Sequence, residues 1–136
     1  MTKKEFSEYE RICKEAWKEL SEGANSKPRR LRRFENHCPA CEIATKVSDE
    51  FDLNCHFCPI DLWREFANSI GDEAEGMAVC QDFGEVSLYA DWMNGDRSES
   101  QEAARKISEL KWSWLPEYKK VKSVLEKYYE DIEAGL

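Results

Sequence analysis

The chain has 136 residues, 41% hydrophobic and 12% aromatic, and carries a formal net charge of −8. That supplies one domain with a modest core and leaves too little length for a second independent one. No run approaches the roughly 20 consecutive apolar residues of a membrane span, and an acidic surface resists nonspecific nucleic-acid binding.

The opening Met1-Thr2-Lys3-Lys4-Glu5-Phe6 enters a charged amphipathic segment without an apolar leader, which predicts a cytoplasmic protein. In that reducing compartment, paired cysteines bind metal more often than they form disulfides. Thr2 and Glu5 have the spacing of a capping box, and Phe6, Tyr9, Cys13, Ala16, Trp17 and Leu20 recur every three or four residues. Both signals predict an N-terminal helix within residues 1–23, stopped at Ser21-Glu22-Gly23. Cys13 lies on the apolar stripe and reads as a core thiol.

Residues 24–60 read as a basic connector followed by metal knuckles. Lys27, Arg29, Arg30, Arg32 and Arg33 form the one dense basic cluster, next to His37-Cys38. Cys38-Pro39-Ala40-Cys41 and Cys55-His56-Phe57-Cys58 are two CxxC pairs separated by thirteen residues. A two-residue gap lets both sulfurs of a pair reach one ion, and two such pairs complete a four-sulfur shell. Cys38, Cys41, Cys55 and Cys58 are therefore the expected ligands of a structural Zn2+. An iron–sulfur cluster uses the same donors, and a disulfide scaffold is the competing use of six cysteines. Cys80 either replaces one of the four or fills a small buried position. His37 and His56 each neighbour a ligand; either they substitute for one, or, the expected role, they hydrogen-bond around the site. The stretch 42–54 has room for a small hairpin or a helical turn.

Residues 61–136 read as an acidic helical region. Pro59 suits a first helical position ahead of Leu62, Trp63, Phe66, Ala67 and Ile70. Gly71 and Gly76 bracket Asp72-Glu73-Ala74-Glu75. Ser87 is placed to cap a short helix bearing Leu88, Tyr89, Trp92 and Met93. Ser98 and Gln101 have capping-box spacing for a helix through Ala103, Ala104, Ile107, Leu110 and Trp114, and Pro116 is expected to end it and open the last helix. Residues 61–104 hold eleven acids against Arg64 and Arg97 alone. Such a surface either solubilises the protein or faces a basic partner. The fold expected from these elements is a single mainly α domain over 1–136, a small helical domain organised around a four-cysteine zinc knuckle, with little or no β.

The order Cys-Pro-Ala-Cys, Cys-His-Phe-Cys-Pro-Ile, Cys80, then Tyr89 and Trp92, resembles small phage- and prophage-encoded cysteine-cluster proteins. The likeness covers roughly residues 37–114. It implies a metal-organised core that Cys80 joins, and a phage-type origin. The acidic stretch from Ile60 to Val79 departs from that pattern, which has a short glycine turn there.

There is no glycine-rich phosphate loop, nucleophile elbow or HExxH motif in the sequence. The expected function is a non-enzymatic, zinc-stabilised protein-binding module, such as an inhibitor or adaptor of a host or phage protein complex. Its acidic surface would imitate nucleic-acid phosphates. The alternative is nucleic-acid or nucleotide-phosphate binding through Lys27, Arg29, Arg30, Arg32 and Arg33. A nuclease or redox enzyme, resting on His37 or His56 near a metal, is the third reading.

Overall fold

The computed structural model describes residues 1–23, 39–48, 51–84 and 86–135. Helix α1 (Lys3–Ser21) starts at the capping box: the Thr2 hydroxyl accepts from the Glu5 N–H at 3.1 Å, and the Glu5 carboxylate accepts from the Thr2 N–H at 3.0 Å. Its buried face is Phe6, Tyr9, Ile12, Cys13, Ala16, Trp17 and Leu20, the periodic stripe that an amphipathic helix turns inward. Burying each large apolar member contributes about 1.5–3 kcal/mol.

The other α-helices among the described residues are α2 (Pro39–Ser48), α3 (Asp61–Ile70), α4 (Val79–Asp82), α5 (Leu88–Asn94), α6 (Arg97–Ser108) and α7 (Leu125–Glu133). Short 3-10 turns at Phe51–Phe57, Gly71–Ala74 and Pro116–Lys120 connect several of them. The protein is mainly α. Among the described residues, its β structure is one antiparallel bridge between Ile60 and Trp112. No helix among them is long and apolar enough to cross a membrane.

Helix α1 packs chiefly on α6, whose buried Ala103, Ala104 and Ile107 let the two backbones approach. Helix α5 is fastened to α6 by Ser100, whose hydroxyl donates to the Trp92 carbonyl at 2.7 Å. Two aromatic clusters cover the ends of α1. Phe6 stacks on Tyr118 at 5.5 Å and meets Trp112 and Trp114 edge-on. Trp17 meets Trp92 edge-on at 5.2 Å and Tyr89 at 5.7 Å. Geometries of this kind add about 0.5–1.5 kcal/mol per pair beyond burial. The C-terminal segment is tied back by the Val124 N–H, which donates to the Tyr9 hydroxyl at 3.0 Å.

Several boundaries differ from the sequence expectation. Pro39–Ser48 form a full helix, longer than the helical turn that is one of the two expectations for the stretch after Cys41. Helix α3 begins at Asp61, not Pro59, because residues 59–61 are held extended against 111–113. The Asp61 N–H donates to the Lys111 carbonyl and the Ser113 N–H to the Pro59 carbonyl, each at 2.9 Å. That pairing also ends α6 at Ser108 and leaves Trp114 outside it. Asp96, not Ser98, caps α6, its carboxylate accepting from the Glu99 N–H at 2.8 Å. Ser87 occupies the N-cap of α5, but its hydroxyl donates to the Gly84 carbonyl. Pro116 opens a 3-10 turn, and the last helix starts at Leu125.

Candidate metal centre

Helix α2 places Cys41 in its first turns, the Phe51–Phe57 turn carries Cys55, and Cys58 follows directly, its N–H donating to the Cys55 carbonyl at 3.3 Å. Cys80 arrives from α4. All four line one cavity of about 90 Å³, together with Trp17, Trp63, Tyr89, Ala40 and Ala44. Cys58 is buried, and Cys41, Cys55 and Cys80 are half-buried. The five cysteines described, Cys13 included, stand as thiols and not as disulfide halves.

The cysteine-bearing segments are fastened to one another. The Val79 N–H donates to the Cys55 sulfur at 3.4 Å, and the Cys55 thiol donates to the Met77 carbonyl at 3.4 Å. Asn54 bonds back to α2, donating to the Thr45 hydroxyl at 3.0 Å and accepting from the Ser48 hydroxyl at 2.7 Å. The Arg64 guanidinium donates to the Cys58 carbonyl at 3.2 Å and pairs with Asp61 at 2.8 Å. From below, the Tyr118 hydroxyl donates to the Phe57 carbonyl at 2.8 Å.

Burial pushes the Cys55 thiol above its ordinary pKa, and nearby Asp82 adds to this while the Val79 N–H opposes it. A bound cation would reverse that balance and favour the thiolate. Ligation would remove the proton shared with Met77 and strengthen the bond from Val79.

Among the described residues, no group of three or more His, Cys, Asp or Glu side chains forms a ready single-ion shell. Lining a common cavity does not by itself place the four sulfurs at the spacing of one tetrahedral ion. Cys38 and His37 lie outside the described residues, as do Lys27, Arg29, Arg30, Arg32 and Arg33. His56 is directed to α3, with Nδ1 2.9 Å from the Asn68 side-chain oxygen, and is not among the residues lining the cavity.

Three contributors to the site were not legible in the sequence. Asn54 carries no motif, and its part depends on Thr45 and Ser48 lying opposite it. Trp17 read as a helix-face aromatic, and Tyr89 as that and as part of the aromatic pair of the phage-type pattern, but neither reading placed them on the wall of the cysteine cavity.

No protein-family model, no curated protein and no solved structure matches this chain.

The acidic turn adjoins the centre. Asp72 and Glu73 in the Gly71–Ala74 turn, and Glu75 after it, are exposed, and Met77 is 42% exposed. Glu65, Asp82, Asp91, Asp96, Glu99 and Glu102 are exposed as well. Of the two cations in this region, Arg64 is engaged by Asp61 and Cys58, while Arg97 is exposed.

Proposed function

We propose that the chain is a non-enzymatic, metal-stabilised protein-binding module. The supporting observation is the meeting of Cys41, Cys55, Cys58 and Cys80 on one cavity, with the acidic turn fastened beside it through Cys55. Four thiolates are the donor set of structural zinc and of iron–sulfur centres alike. A centre of either kind holds α2, the Phe51–Phe57 turn and α4 together. It thereby fixes the backbone of residues 77–79, next to Asp72, Glu73 and Glu75.

A rigid acidic turn with an exposed methionine suits a basic protein surface, the charges steering encounter and Met77 supplying apolar contact. Occupation of a groove that normally takes nucleic-acid phosphates is the inhibitor form of this reading.

The test is partner capture from a bacterial lysate, with nuclease treatment, by the metal-loaded chain and by D72N/E73Q/E75Q. The expected result is a defined protein retained after nuclease and lost with the acid-neutralised variant. Capture that disappears with nuclease and is indifferent to these acids would transfer the function to Lys27–Arg33.

A further inference from the structure

Lys27–Arg33 is the dense basic run of the sequence, but folding assembles a second cationic cluster from two distant segments. The Met1 nitrogen donates to the Lys119 carbonyl at 3.2 Å and to the Val121 carbonyl at 2.5 Å. Phe6 stacks on Tyr118, and the Ser123 hydroxyl bonds to the Glu5 carboxylate. These contacts set the first turn of α1 against residues 119–123. Lys3 and Lys4 from α1, and Lys119, Lys120 and Lys122 from the facing segment, are all exposed. None of the five forms an ion pair with a described residue, whereas Arg11, Lys14, Lys46, Arg64, Arg105 and Lys111 all do. Across residues 1–5 and 116–123 these five lysines meet two acids, Glu5 and Glu117, so the surface is positive there. Glu5 is moreover held in the helix cap by the Thr2 N–H, and Glu8, the next acid along α1, is taken up by Arg11 and Tyr129. Lys3 and Lys4 also sit at the helix end where the macrodipole disfavours cations. Local stability does not account for gathering these charges.

We infer that this cluster is a docking site for the phosphate backbone of a nucleic acid, held without regard to base sequence. Lysine ammonium groups are point charges, and neutralising phosphates with release of their counterions is enough to bind a nucleic acid. Other partners ask for more. Protein interfaces are anchored by large apolar and aromatic side chains, and stable attachment to a membrane needs an apolar signal besides a basic one. The exposed large hydrophobic residues among those described are Leu62, Met77, Met93, Tyr129 and Ile132, and none falls within residues 1–5 or 116–123. The overall charge of −8 does not cancel the cluster locally. Asp96 and Glu99 stand at the start of α6, where Arg97 and Gln101 lie beside Gly23 at the far end of α1. From Lys4 to Ser21 the helix rises about 25 Å, and at physiological ionic strength exposed charges are screened beyond about 8 Å. The cluster therefore presents its own positive field to a strand lying across it. None of its lysines lines the cysteine cavity, so the site does not rest on the metal-centred, protein-binding reading and adds a second contact to it.

The test is fluorescence anisotropy of the full chain with a labelled mixed-sequence DNA duplex and with its RNA counterpart, over a salt series. Binding should be indifferent to base sequence. Each phosphate neutralised on duplex DNA contributes about −0.9 to the slope of log Kobs against log salt, so five engaged lysines should give about −4.5. K119Q/K120Q should bring that slope to about −2.7, and K3Q/K4Q/K119Q/K120Q/K122Q should abolish binding at physiological salt. K27Q/R29Q/R30Q/R32Q/R33Q should leave the slope unchanged. Circular dichroism of each variant separates lost contacts from a lost fold. If the variant lacking all five lysines unfolds, the slope of K119Q/K120Q decides. Binding to DNA and RNA alike would mark the shared phosphate backbone as the ligand, and binding to one alone would name its source. Three results would overturn the inference: no binding to either nucleic acid at low salt, a slope that the lysine substitutions do not move, or binding to phosphatidylserine vesicles in place of nucleic acid. Loss of binding in the Lys27–Arg33 variant alone would overturn it as well.

Discussion

The Val79 N–H donates to the Cys55 sulfur at 3.4 Å, joining two segments that are 24 residues apart in sequence. Through this bond the α4 segment carrying Cys80 is seated against the turn carrying Cys55 and Cys58. Cysteine chemistry and local backbone order are therefore one problem in this part of the molecule. On the proposed reading, a metal centre would complete an arrangement that the backbone has already begun.

If the chain holds a metal as proposed, removing it should destabilise the middle of the molecule more than its helical frame. Structural thiolate centres supply much of the folding free energy of small domains, about 10–16 kcal/mol for zinc in finger peptides. Helices α1 and α6 pack on each other through apolar contacts that do not involve the cavity cysteines. Stripping the metal with a chelator should lower Tm and open Phe51–Asp82 to hydrogen exchange first, with α1 and α6 exchanging later. Uniform loss of protection across the chain would show that the frame does not stand without the centre.

Asn54→Ala should weaken the centre without touching a ligand. It removes the bonds to Thr45 and Ser48, a loss of about 1–3 kcal/mol by the usual worth of partly buried hydrogen bonds. The expected outcome is a lower urea midpoint and faster metal loss to a competing chelator. Asn54→Asp, which can still accept from Ser48, should fall between the two.

Tyr118 gives the fold a defined alkaline limit. Burial, reinforced by the negative charge available at Cys58, raises its pKa above the ordinary tyrosine value. Burial raises Tyr9 as well. The folded state therefore holds these protons where the unfolded chain releases them, above roughly pH 10. The contribution is fully present below that pH and is lost as pH rises from there through the folded-state pKa. Urea midpoints measured across the alkaline range should decline, and Tyr118→Phe should reduce the slope. The variant should itself cost about 0.5–1.5 kcal/mol at neutral pH, since the Phe57 carbonyl loses its donor.

The cap of α6 is decided between two neighbours. Asp96→Ala removes the bond to the Glu99 N–H and should cost about 0.5–2 kcal/mol. Ser98→Ala should stay within about 0.5 kcal/mol, the range of an ordinary surface change. Equal effects in chemical denaturation would contradict the observed cap.

Local rules carried α1 well, because its cap, stripe and stop all lie within one continuous stretch. Thr2, Glu5 and the Phe6-to-Leu20 stripe needed no distant partner to be read. The same rules misplaced the start of α3 and the end of α6, where the backbone of 59–61 pairs with 111–113 across about fifty residues. Ser98 and Gln101 have the right spacing for a cap, yet Asp96 wins because the turn at Gly95 brings its carboxylate onto the Glu99 N–H.

By itself, then, the sequence determined the mainly α class, the inward face of α1 and the residues with metal-binding chemistry. These follow from side-chain period and donor type, which are properties of neighbours along the chain. Only the tertiary structure decided that Cys80 shares a cavity with Cys41, Cys55 and Cys58, that His56 turns to Asn68, and that Trp17 and Tyr89 wall the site. Each of these depends on how separate segments pack, and packing is settled by the whole core at once.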